Sequence, residues 1–387
     1  MKKTLLFITI ALSTIYSCTS EDVPSNSKES SYDDAIKDLP FDNAIDLSAS
    51  GASNCYIITK AGLYKFQTLK GNSSEQINLI DHAEIIWESF GNDTPPKKRD
   101  LIYNICFKDN HIIFETPSIL KKGNALVAVK DSYDEILWSW HIWFTDQPEE
   151  QFYSSTEIMM DRNLGATSTE VDNILSFGLL YQHDRKDPFL WYGDFPYYDR
   201  AKKAQSTTGS WDTVDSGWDT GSIQYSITHP THIISDNTRN SHWMFTGDSS
   251  KPKLWTSCNE PKSIYDPCPS GWRIPDKEVI FDFLKENDKS SFDPYTGEYK
   301  KIIDKYDGYR YGLILQPTEN TRIMYPFRSR TSYLTSDFEC CWLFDNVSGG
   351  ILNISYFVPL TDWPQRDYNC YGGCWTIGLI RCVKEQN

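Results

Sequence analysis

The residues of this chain that could do chemistry are ten cysteines, seven histidines, 53 acids and an aromatic fraction of 14% that includes 13 Trp and 23 Tyr. The histidines are scattered and lack zinc-ligand spacing. No run of carboxylates offers the six or more oxygens that calcium requires. A nucleophile elbow, a phosphate-binding loop and a dinucleotide fingerprint are all missing. The expectation is therefore a protein without cofactor or metal that is not an enzyme. Asp161 with Arg162, and Arg185, Lys186 and Asp187, could look catalytic. Opposite charges at such close spacing are read instead as buried ion pairs and turns that hold the chain together.

What remains is aromatic chemistry. Phe189, Trp191, Tyr192, Phe195, Tyr197, Tyr198, Trp211, Trp218 and Tyr225 lie in one stretch rich in Ser, Gly and Thr, with Trp-Asp-Thr repeated at 211–213 and 218–220. Aromatics on polar loops stack on the apolar C–H faces of sugar rings. The competing role is a small core that packs a long loop onto its domain. Trp191, Trp211 and Trp218 are the ligand-binding candidates.

The other candidate for chemistry is Cys18. Lys2 and Lys3 precede an apolar run from Thr4 to Ile15, too short to span a bilayer. Ile15-Tyr16-Ser17-Cys18 resembles the bacterial lipoprotein signal, departing from it at Tyr16. The resemblance implies a signal peptide over 1–17, cleavage before Cys18 and a lipid such as palmitate on that cysteine. Residues 19–38 hold five serines and six acids and read as a flexible tether, so that 18–45 links anchor to fold. Glu21-Asp22 resembles the acidic signal that sends Bacteroidetes lipoproteins to the cell surface. Together these imply an outer-membrane, surface-exposed protein held on the membrane by its lipid.

Without residues 1–17 the chain carries 36 basic and 53 acidic residues, a net charge near −17. That excess argues against nucleic acid and anionic membrane surfaces as partners.

Two modules position these residues. Residues 46–147 read as β throughout, with strands predicted at 54–59, 63–66, 83–87, 101–107, 111–115, 125–129 and 135–145. Lys108-Asp109-Asn110 is a hairpin signal. Alternation puts Trp138, Trp140, Ile142 and Phe144 on one face, as core. Six or seven short strands in about 100 residues predict an immunoglobulin-like β-sandwich. Cys55 and Cys106, in separate strands, could pair.

The second module, 148–387, carries a resemblance. Met160-Asp161-Arg162-Asn163-Leu164-Gly165-Ala166 is followed by Gly178-Leu179-Leu180-Tyr181-Gln182 and Arg185-Lys186-Asp187-Pro188-Phe189. Tyr265-Asp266-Pro267-Cys268-Pro269-Ser270-Gly271-Trp272-Arg273-Ile274-Pro275 comes next, and Arg381-Cys382-Val383-Lys384-Glu385 closes the series. In this order they resemble the Fibrobacter succinogenes major paralogous domain of Bacteroidetes surface lipoproteins. The upstream half is similar to the same proteins through Asp46-Leu47-Ser48, Asn54-Cys55-Tyr56-Ile57 and Ile136-Leu137-Trp138-Ser139-Trp140-His141-Ile142-Trp143.

The resemblance implies an α+β C-type-lectin-like domain, and hence a chain that is mainly β with some α. It also implies a bridge between Cys268 and Cys382. Asp276 is expected to cap a helix whose Val279, Ile280, Phe283 and Leu284 share a face. Cys370 and Cys374 form a local bridge or reach Cys340, Cys341 or Cys258. The calcium-dependent triplets of true C-type lectins, Glu-Pro-Asn and Gln-Pro-Asp, do not occur.

The function expected is a cell-surface binding or adhesion module for a glycan or a host or surface ligand. It is either associated with fimbrial subunits or part of polysaccharide capture by a glycan-uptake system. A formylglycine-generating-type oxidase is the weaker alternative, because Cys340-Cys341 is not the spaced pair such chemistry uses.

Overall fold

The computed structural model describes residues 39–152, 158–170, 173–190, 206–235, 243–245, 252–276 and 377–386, together with the backbone of five further strands between 312 and 369. Cys18, its tether, Trp191 and the predicted helix after Asp276 lie outside the described residues. Residues 39–387 form one compact unit. It is mainly β; among the described residues the α-helix is α1, Ile223–Thr228, and no helix is long and apolar enough to cross a membrane.

The first eight strands are β1 (Ile45–Asp46), β2 (Cys55–Ile58), β3 (Leu63–Gln67), β4 (His82–Ser89), β5 (Asn104–Lys108), β6 (His111–Glu115), β7 (Gly123–Lys130) and β8 (Ile136–Phe144). They form two four-stranded sheets, in the orders β1-β3-β6-β5 and β2-β8-β7-β4. Tyr64, Phe66, Ile112 and Phe114 of the first meet Tyr56, Ile58, Val127, Trp138, Trp140, Ile142 and Phe144 of the second in one core. Strand β5 turns into β6 at Asp109 and Asn110, both left-handed (φ 50° and 59°), where Lys108-Asp109-Asn110 predicts a hairpin. Asp and Asn tolerate that region, and two such residues match the right-handed twist of the strands they join.

The two sheets differ on their outer faces. Strand β3 alternates between buried and partly exposed positions, as expected of a sheet with one face toward solvent. Strand β7 is buried at every position but its last, and β8 at every position from Trp138 onward. Their second face is covered too. Cys55, Trp87, Leu126 and Trp143 join a second core with Met160, Leu164, Leu179, Tyr181, Trp255, Cys268, Ile274, Ile380 and Cys382. The apolar run Ala-Leu-Val-Ala-Val of β7 thus reflects burial from both sides. Residues on either side of position 147 share this core.

Strand alternation also corrects the Cys55–Cys106 pairing. Cys55 joins the core outside the second sheet, whereas Cys106 lies in the other sheet beside the core-facing Ile105. Successive side chains point to opposite faces, so the two thiols point away from each other. Both are free and buried.

The chain continues through β9 (Glu150–Phe152), β10 (Ile158–Met160), β11 (Leu180–Gln182), β12 (Pro188–Phe189), β13 (Asp212–Asp215), β14 (His232–Ser235) and β15 (Trp272–Arg273). It ends with β16 (Gly312–Thr318), β17 (Thr321–Pro326), β18 (Phe338–Leu343), β19 (Ile351–Tyr356), β20 (Arg366–Asn369), β21 (Ile377–Leu379) and β22 (Val383–Lys384). The last strand, β22, lies between β10 and β15, so the end of the chain closes against the start of this half. A disulfide joins Cys268 to Cys382 across 114 residues, with the Cα atoms 6.0 Å apart. Asp276 accepts the backbone N–H of Cys258 at 3.0 Å through its carboxylate.

Candidate functional site

The charged motif residues are buried and paired. Arg162 donates from Nε and Nη2 to both carboxylate oxygens of Asp161 (2.9 and 2.8 Å) and from Nη1 to Thr145 Oγ1 (3.0 Å). Arg381 Nε donates to Asn163 Oδ1 (3.0 Å), tying the final segment to the same motif. Lys186 Nζ donates to Asp187 Oδ1 (2.7 Å) and to Ser139 (2.6 Å to Oγ), above the Trp138 ring. Burial pulls the Lys186 ammonium down, against the opposing pull of Asp187. A buried charge of this kind persists only when paired and hydrogen-bonded.

Cys55 and His141 have the geometry of a thiol–imidazole pair, with Sγ 3.4 Å from Nδ1. Their environment opposes the ionised form of either. Burial pushes the Cys55 thiol well up and pulls His141 down to about 3. The tautomer follows from the neighbours. Asn124 donates its Nδ2 to the Gly165 carbonyl, so its Oδ1 faces His141 Nε2 at 2.9 Å and must accept. Nδ1 is then left to accept from Tyr181 Oη (3.3 Å) and Cys55. This is a sealed neutral network, and thiolate chemistry has no access to it.

His82, Glu84 and Asp134 bring three ligand atoms within 4.8 Å of one another. Lys130 Nζ bonds both carboxylates there, 2.5 Å from Glu84 and 3.1 Å from Asp134. An ammonium already supplies the positive charge this position attracts.

The aromatic candidates divide. Seven of the nine tryptophans with described side chains are buried. Trp211 is half-buried, 5.5 Å from Trp87 at the edge of the second core, and its Nε1 is enclosed. It packs the loop onto the fold. Trp218 is 72% exposed, and its ring meets Phe245 edge-on at 4.8 Å. The two copies of Trp-Asp-Thr therefore differ. The first runs into β13, a strand where a loop was expected, and the second is a turn.

That turn is tightly built. Thr220 Oγ1 donates to the Asp215 carbonyl, Gly221 N–H to the Gly217 carbonyl and Phe245 N–H to the Gly221 carbonyl. A Cβ on Gly221 would lie 2.6 Å from Phe245 Cβ, so only glycine lets Phe245 come in beneath Trp218. Ser222 then caps α1 by accepting the Tyr225 N–H, and β14 returns parallel to β13. Asp212, Asp215 and Asp219 are exposed around this element.

One feature was not read from the sequence: Tyr225, His229 and His232 lie together at the base of this element. Spacing could not have found it, because His229 is the non-helical cap that ends α1 and His232 begins β14, so the turn between them decides their approach. No family model, curated protein or solved structure matches this chain.

Proposed function

We propose that this chain is a lipid-anchored lipoprotein of the outer-membrane surface that acts as a binding or adhesion module, with Trp218 as the stacking platform for a glycan. The observation that carries this reading is Trp218 itself, an indole 72% exposed and backed by Phe245 where most of the described tryptophans are buried. Burying a large apolar ring is worth roughly 2 kcal/mol, so an exposed indole backed by a second ring offers that gain to a ligand that covers it. The acids at 212, 215 and 219 can accept hydrogen bonds from sugar hydroxyls and disfavour polyanions.

The proposed architecture is an immunoglobulin-like sandwich followed by a C-type-lectin-like domain. The orders β1-β3-β6-β5 and β4-β7-β8, with β2 added beside β8, agree with the ABED and CFG sheets of immunoglobulin folds and support the first half. The pairing of β10 with β22 and the Cys268–Cys382 bridge support the second. Fold analogy does not by itself specify a ligand.

A glycan array with the full chain and its Trp218→Ala variant tests the binding role. The expected result is binding to neutral glycans that is weakened about tenfold in the variant and unchanged by chelator. Equal binding by both proteins would place the ligand elsewhere. Cys18→Ala tests the anchor: the variant should leave the membrane fraction, because the short apolar segment cannot retain it.

A further inference from the structure

The helix that follows the Trp218 turn ends in a cluster of imidazoles. The Tyr225 ring lies flat on His229, 4.0 Å away and 11° from parallel. His229 faces His232 at 4.8 Å. Tyr225 Oη is 2.8 Å from His232 Nδ1, and His229 Nδ1 sits against Thr228 Oγ1 (2.8 Å) and the Tyr225 carbonyl (3.3 Å). These contacts connect the end of α1 to the start of β14. Strand β14 in turn pairs with β13, and Ser216 N–H bonds the Ser235 carbonyl at the entrance to the turn.

The charges around the rings are unequal. Beneath them lies the buried guanidinium of Arg185, which donates to the carbonyls of Ser226 (3.1 Å), His229 (3.2 Å) and His232 (2.6 Å). The facing carboxylate is that of Asp212, 3.8 Å from His232 Nε2 on a side chain 76% exposed, where water and salt screen it. A proton on His232 adds positive charge beside a second imidazole and above a fixed cation.

We propose that Tyr225, His229 and His232 form an acid-sensitive clasp that holds the Trp218 turn at neutral pH and releases it in mild acid. The inference rests on the Trp218 reading for its purpose, namely ligand release on acidification. The electrostatics agree with it: burial and the neighbouring His229 pull His232 below the ordinary imidazole range, Asp212 opposes this and Arg185 adds to it. A group depressed in the folded state binds fewer protons there than in the opened state. Holding is therefore complete above the free imidazole value of about 6.5 and is lost as pH falls below it.

Hydrogen–deuterium exchange on the full chain tests the clasp without any ligand. Protection of residues 216–235, corrected for intrinsic exchange, should fall severalfold between pH 7.5 and 5.5, with about tenfold the ceiling for one imidazole, while β7 and β8 stay protected. The double variant His229→Gln, His232→Gln should lose that pH response. Wild-type protection that does not change with pH overturns the proposal, and this arm needs no variant to fold. So does a loss of equal size across the whole fold, or an unchanged response in the double variant. A glycan array without hits would remove the platform reading and leave the exchange result standing, so the two can fail separately.

Discussion

Trp138 Nε1 donates to Asn54 Oδ1 at 3.0 Å, and this single bond orients the amide that joins the first sheet pair to the rest of the fold. With Oδ1 occupied, Asn54 Nδ2 points its two hydrogens at the carbonyls of Ile264 (2.6 Å) and Asp266 (2.9 Å), more than 200 residues away. Asn54 and Trp138 are both fully enclosed.

Asn54→Leu should therefore destabilise the protein by about 3 kcal/mol. The change leaves the Trp138 N–H and the Ile264 carbonyl without partners, while the Asp266 carbonyl keeps Asn72 Nδ2 at 3.2 Å, and each buried unsatisfied group costs about 1–3 kcal/mol. Urea unfolding followed by tryptophan fluorescence measures it. A loss below about 1 kcal/mol would mean that water reaches these groups.

Removing the disulfide should cost a comparable amount. The chain-entropy account assigns about 5 kcal/mol to closing a loop of this length, and measured values usually fall lower. Cys268→Ser should melt well below wild type, and non-reducing peptide mapping should link Cys268 to Cys382. Finding either cysteine paired elsewhere would contradict the bridge.

The two tryptophans should separate binding from stability. Trp211→Ala removes a ring packed on Trp87 and should cost about 2 kcal/mol of stability. Trp218→Ala should leave stability within about 0.5 kcal/mol and weaken glycan binding about tenfold, the scale of one stacked aromatic. Thermal melts and titration calorimetry read the two effects independently. A reversal of the two phenotypes would exchange their roles.

Acid should weaken the fold through His141. Its folded value is about 3 against about 6.5 unfolded, so the unfolded chain binds the extra proton between those limits. The stability this residue contributes is complete above pH 6.5, falls as pH drops and has lost on the order of 5 kcal/mol by pH 3. Urea unfolding at pH 7.5 and pH 5 should show a drop of about 2 kcal/mol from this group. His141→Gln should flatten that slope, and an equal slope in wild type and variant would rule the residue out.

Much of the first half of the fold was legible in the chain. Alternation from Trp138 to Phe144 named the core face of β8, and Asp109-Asn110 named the hairpin between β5 and β6, because period-two burial and left-handed turns leave local marks. The outer face of β8 left a weaker mark. Alternation places His141 and Trp143 on the other side of the strand, and only residues such as Leu164, Tyr181 and Trp255, distant in sequence, turn that side into a second core. Cys55 and Cys106 show the same limit. Their strand assignments followed from composition, but the faces on which they lie depended on register and packing.

The sequence by itself determined the residue chemistry: an acidic, aromatic-rich chain whose start resembles a lipoprotein signal, and neighbouring opposite charges read as buried pairs. It offered Trp211 and Trp218 as equals, each in the same Trp-Asp-Thr setting. Tertiary structure alone separated them, because exposure depends on what arrives from elsewhere in the chain. Trp87 covers the first, while Gly221 admits Phe245 beneath the second and leaves its outer face in water.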